Sequence, residues 1–284
     1  MFMKLLNQRY FMSKHTFFKL LLRSMYITTA MILVWLGLNL YLNGHIWDGM
    51  MISPSALAVE YCEFNNVDKF FHQSMNTYSN LAYFFFGVLI LQMAFEDYKN
   101  QGLNTQNRLE RFPLLSALMG FCFIYLCFGS AFFHASLTWV GQRVDMNGTY
   151  GVTIILLGIA LYHVLYKWDF SKKGKNIIIL ALLTIILAFY KIALMISSSK
   201  LVPILILLST LLIFINYFQF RKERALILAL LSIIFIIIAI KIRTLDVQKI
   251  GCDPYSLYQG HSAWHLLTAM SSFCNYAFFR FTKF

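Results

Sequence analysis

Charge is scarce in this chain of 284 residues: Asp, Glu, Lys and Arg make up only 13% of it. An average soluble domain carries about 25%, so a water-covered globule is excluded. Acidic residues are rarer still, 12 against 24 Lys and Arg, which leaves a formal charge of +12. Cysteines number five and form no CxxC pair, which excludes a disulfide-dense scaffold and a structural zinc knuckle. No internal repeat and no low-complexity tail is present, so a solenoid and a disordered tail are excluded as well. What the chain has instead is apolar length. It is 59% hydrophobic, with a mean hydropathy of +0.64, and this defines an all-α polytopic membrane protein.

The first apolar run, Met25 to Leu42, follows Lys4, Arg9, Lys14, Lys19 and Arg23. No small-x-small cleavage site follows at Asn43-Gly44-His45-Ile46, so the run reads as an uncleaved anchor helix rather than a signal peptide. Seven more spans are expected near 76–96, 112–138, 143–166, 176–196, 201–219, 225–242 and 259–280. Each approaches or exceeds the ~20 residues that cross a bilayer. The chain therefore divides into a basic segment with its anchor (1–44), an acidic loop (45–75) and a seven-helix domain (76–284).

With the amino terminus inside, 17 of the 24 Lys and Arg fall in inner segments or at inner helix ends. The positive-inside rule selects that orientation, with both termini cytoplasmic. The basic excess is then a topological signal and argues against a nucleic-acid partner. Glu60, Glu63, His134, Asp145, His261 and His265 fall on the outer side, which is periplasm if the source is a Gram-negative inner membrane and organelle lumen if it is eukaryotic. Other polar residues have blander readings. Lys191 snorkels to the interface, Asn216 bonds a neighbouring helix, and His163 is a satisfied helix-end histidine. His15, His45 and His72 lie outside the spans and read as solvated.

Ser130 and His134 stand four apart at the end of one span, and His261 and His265 stand four apart at the start of the last. Residues at i and i+4 share a helix face. Asp145 opens the span that follows His134, at the same depth. Zinc takes neutral imidazole, and catalytic zinc commonly has three protein ligands. His134, His261 and His265 fit that count. Asp145 suits a water-activating or orienting carboxylate, and Ser130 a donor to a developing oxyanion.

These motifs, Ser130-x3-His134, Asp145 and His261-x3-His265, resemble the signature of the alkaline ceramidases and, more distantly, of the progestin and adipoQ receptors. Tyr61-Cys62-Glu63-Phe64-Asn65, Asn76-Thr77-Tyr78-Ser79-Asn80-Leu81 and Gly260 to Thr268 narrow the likeness to the ceramidase branch. The likeness runs from about Glu60 to the carboxyl end and leaves the anchor helix as an addition to a seven-helix core. It implies a hydrolase that cleaves the N-acyl bond of ceramide or a related lipid drawn from the bilayer. In it His134, His261 and His265 hold zinc, Asp145 activates water, and Ser130 stabilises the tetrahedral intermediate. It also implies calcium in the acidic segment, at Glu60, Tyr61 through its carbonyl, Glu63 and Asn65. Glu60 replaces a usual Asp there, and Gln73 stands near an expected Glu. The alternative within the same superfamily is a receptor or lipid-binding protein with a structural metal. Neither the substrate's chains nor the oligomeric state is legible.

Cys62 and Cys252 both fall in outer segments, whereas Cys122, Cys127 and Cys274 fall within spans. An outer, oxidising compartment makes Cys62–Cys252 the expected disulfide.

Overall fold

The computed structural model describes residues 12–100, 107–195 and 198–281; Lys4, Arg9 and Lys283 lie outside them. Among the described residues the regular elements are helices, and β-pairing is confined to two isolated bridges, Asn43 with Lys69 and Ile52 with Thr138. The main helices are α1 (Lys14–Tyr41), α2 (Ser74–Ser79), α3 (Leu81–Lys99), α4 (Pro113–Ser136), α5 (Trp139–Val164), α6 (Lys172–Met195), α7 (Ser198–Gln219), α8 (Leu226–Val247) and α9 (Gly260–Arg280). One-turn helices at Gly44–Trp47 and Pro54–Leu57 punctuate the loop after α1.

Among the described residues, seven helical segments are long and apolar enough to cross a membrane, counting α1 and taking α2 with α3 as one. The helix that completes the bundle, α9, is less apolar: its 21 residues include His261, His265, Asn275 and Arg280. Its polar side is turned inward, as the burial of all four shows. The protein is thus an all-α polytopic membrane protein, a seven-helix bundle preceded by one more helix.

Helix α1 begins well before Met25 because the Ser13 hydroxyl caps it, accepting the Thr16 N–H at 3.0 Å. Helix α8 runs past residue 242 to Val247 and carries Arg243 and Asp246 on its last turns. Helix α4 packs between α3 and α5, α9 packs on α8, and α1 packs on α3. The crossing of α3 and α4 is a backbone contact. A Cβ on Gly87 would sit 2.9 Å from the Gly120 carbonyl oxygen, and one on Gly120 would sit 2.9 Å from that of Gly87.

Helix α4 ends at Leu137, whose φ of 55° reverses the chain into α5. The freed backbone groups of that turn are taken up by the loop after α1. Leu137 O accepts from Ser53 N, Trp139 N donates to Met51 O, and the carbonyls of His134 and Ala135 accept from Gln73 and His72. This stitching buries His72, contrary to its reading as solvated, because the ring lies under the Gly44 turn. Asn216 likewise differs from expectation. Its Oδ1 accepts from Arg224, in the turn that follows α7, at 3.0 Å, and its Nδ2 donates to Gln219 on its own helix, not to a neighbouring helix. His163 is buried and turns Nδ1 to the Ile159 carbonyl oxygen at 2.9 Å.

Candidate metal centre

Helix α4 delivers His134 from its last turn, and α9 delivers His261 and His265 from its first two turns. All three side chains are buried, and one ligating atom from each lies within 4.8 Å of the others. The ring centroids are 4.6 to 5.1 Å apart. No other group of three or more His, Cys, Asp or Glu with this convergence occurs among the described residues.

Two of the rings are oriented by groups outside the cluster. His134 Nδ1 meets Gln73 Oε1 at 2.7 Å, and His265 Nδ1 meets the Ser79 hydroxyl at 2.7 Å. An amide oxygen only accepts, so His134 carries its proton on Nδ1 and presents the Nε2 lone pair. That Nε2 is buried without a hydrogen-bond partner, as is Nδ1 of His261. Buried polar atoms ordinarily have partners. Unpartnered nitrogens on two members of a three-imidazole cluster are what a divalent metal such as zinc would satisfy, so the residues fit the group.

Ser130 lies one turn from His134 and is buried; Asp145 faces it from the first turns of α5. Arg243 and Glu60 are also near Asp145. The carboxylate stands beside the imidazole group rather than within it.

The loop after α1 closes the top. The Tyr61 ring stacks on His261 with centroids 3.8 Å apart and lies 5.4 Å from His134. Burial, reinforced by the Glu60 charge, pushes the Tyr61 phenol upward, so it remains neutral. Cys62 and Cys252 form a disulfide with a Cα–Cα distance of 5.7 Å, tying that loop to the segment before α9. The remaining cysteines, 122, 127 and 274, are free.

The residues considered for calcium occupy the same loop but spend their oxygens elsewhere. Both Glu63 oxygens accept backbone N–H groups at the start of α2, Met75 at 2.6 Å and Asn76 at 2.8 Å. Burial pushes the Glu63 carboxyl up to about 7 even so. Asn65 Oδ1 accepts from Gln73 Nε2 at 2.7 Å, and Glu60 pairs with Arg243 at 2.9 Å. The Tyr61 carbonyl oxygen accepts from the Lys249 ammonium.

Sequence reasoning missed Asp246. It is buried near the end of α8, its Oδ2 accepting the Cys62 N–H at 3.2 Å and its Oδ1 the His261 N–H at 3.1 Å. An acidic residue shortly before a histidine pair was the one available signal, and Gly260 lets it approach: a Cβ there would sit 2.9 Å from Asp246 Oδ1.

Fold and site together define a polytopic helical membrane protein with a buried three-histidine group able to hold a metal beneath a disulfide-tied loop. The chain belongs to the Ceramidase family, whose family model matches residues 53–284. Residues 1–52, which include α1 and the first part of the loop after it, fall outside that match. No curated protein matches the chain. Membership implies an amide hydrolase acting on a lipid within a membrane.

Proposed function

We propose that the protein is a zinc-dependent hydrolase that cleaves the N-acyl bond of ceramide or a related N-acyl lipid, yielding a sphingoid base and a fatty acid. The observation that carries this reading is the convergence of three buried imidazoles, two of them with unpartnered nitrogens. When bound, zinc supplies Lewis acidity, which polarises an amide carbonyl and acidifies water at ordinary pH.

The chain's own residues supply the rest. Gln73 and Ser79 hold His134 and His265 in the rotamer and tautomer that a metal requires. Asp145 accepts a proton from the attacking water and returns it to the leaving amine, so the C–O bond forms and the C–N bond breaks with protons balanced. The Ser130 hydroxyl donates to the oxygen that gains charge as the carbonyl becomes tetrahedral. Tyr61, stacked on His261, keeps bulk water from the reacting centre. A three-histidine donor set leaves a coordination position for substrate, which supports an enzyme over a receptor with a closed structural metal. The charge distribution further supports cytoplasmic termini and a site facing the outer side.

The test is product analysis of the purified protein on a panel of N-acyl lipids, together with elemental analysis. We expect close to one zinc per chain and release of amine and fatty acid, with both lost in His261→Ala. Full zinc occupancy in that variant would refute the ligand assignment, and absence of product across the panel would refute the hydrolase.

A further inference from the structure

The last turn of α8 and the turn that follows it carry Arg243, Asp246 and Lys249, each three residues from the next. They meet three consecutive residues of the loop. Arg243 Nη2 donates to Glu60 Oε1 at 2.9 Å, the Lys249 ammonium donates to the Tyr61 carbonyl, and Asp246 Oδ2 accepts the Cys62 N–H at 3.2 Å. We propose that this Arg243–Asp246–Lys249 ladder replaces calcium in this chain, and that, together with the Cys62–Cys252 bridge, it holds the loop over the three-histidine group without a bound ion.

Calcium takes 6–8 oxygen ligands, carboxylates prominent among them. The five residues that the family likeness offers for it have most of those oxygens engaged by protein donors here. The oxygens of Glu63, Asn65 and Gln73 already accept from N–H donors. The other two residues, Glu60 and Tyr61, each receive a cationic side chain from the α8 end. A divalent ion placed among them would face the positive ends of those donors, with a guanidinium and an ammonium at close range. Glu63 has become the cap of α2 instead, its carboxylate neutralising two N–H groups that a helix start leaves free.

The ladder also does what a bound ion would do mechanically. An exposed ammonium contact by itself stabilises little, so Lys249 acts with its neighbours. Asp246 is buried and bridges the loop to the first turn of α9 through the His261 N–H. Three residues beyond Lys249, Cys252 ties the same stretch to Cys62 covalently. Loop, α8 end and α9 start are thereby one unit, and Tyr61 is set on His261 by residues on either side of it.

The experiment uses the full chain in detergent or nanodiscs and needs no substrate, so its failure is separate from a failure of the hydrolase reading. Terbium luminescence and calcium titration probe binding, and hydrogen exchange of the peptide spanning 60–66 reads how firmly the loop is held. We expect no saturable site for either ion, and exchange that is the same in calcium and in a calcium chelator. Arg243→Met with Lys249→Met should speed exchange of that peptide by about tenfold, and Arg243→Lys with Lys249→Arg should restore most of the protection. Saturable binding of calcium that is lost in Glu63→Gln would overturn the proposal. Unchanged exchange in the double Met variant would overturn it equally.

Discussion

His134 Nδ1 has Gln73 Oε1 at 2.7 Å, and that bond decides which nitrogen turns toward the other two imidazoles. Gln73→Ala removes the acceptor, freeing the ring to rotate and to change tautomer. Outer-sphere partners of this kind are worth about 10–100-fold in metal affinity. We therefore expect zinc affinity in Gln73→Ala to fall by about that factor, while His134 remains in place. Competition with a chromogenic chelator measures it, and unchanged affinity would mean that packing alone orients the ring. Asp145 makes the opposite pattern. It stands beside the cluster rather than in it, so Asp145→Asn should leave zinc content intact and remove turnover, since the amide cannot accept the proton. A variant that turns over normally would free Asp145 from the role of base.

Helices α3 and α4 cross where Gly87 and Gly120 put backbone against backbone, and α4 is the helix that carries Ser130 and His134. Gly120→Leu forces an isobutyl group against the Gly87 carbonyl and the Leu91 side chain. Overpacking of this kind typically costs about 1–3 kcal/mol, and any displacement of α4 carries His134 with it. A lowered thermal midpoint together with weaker zinc binding is the expected result, and wild-type values in both would refute a tight crossing. Seven of the helical spans were legible because a span declares itself locally, by apolar length. The imidazole pair of α9 was legible for the same reason, being a spacing of four on one helix. The groups that orient the site were not, because their partners are remote in sequence: Gln73 lies 61 residues from His134, Ser79 lies 186 from His265, and Asp246 lies 184 from Cys62. Gln73 did attract notice, but for calcium, since no local pattern ties a glutamine to a histidine in another element.

Across the whole molecule the two ends of the bundle are fastened differently. At the histidine end the Cys62–Cys252 bridge spans 190 residues of sequence. At the opposite end the fastening is ionic: Arg280, fully buried at the close of α9, binds Asp97 Oδ1 at 2.6 Å and Glu110 Oε1 at 2.5 Å. Asn107 completes it by donating to the Phe279 and Arg280 carbonyls, each at 2.9 Å. One cation thus joins α3, the turn before α4 and α9, and α4 and α9 carry the three histidines at their other ends. Arg280→Leu would leave two buried carboxylates without a counter-charge, and breaking a buried pair this way typically costs about 3–5 kcal/mol. Replacing all three charges, Arg280→Leu with Asp97→Asn and Glu110→Gln, removes the uncompensated charge along with the pair. The single variant should therefore melt far below the wild type, and the triple variant should recover most of the difference. Zinc bound per folded chain should stay unchanged in the triple variant, because the cluster lies at the end of α9 away from His261 and His265. Thermal unfolding in nanodiscs, read beside zinc content, checks both halves. A single variant as stable as the wild type would show that Arg280 is neutralised by other means, and a triple variant no better than the single would show that the cost lies in lost packing rather than in stranded charge.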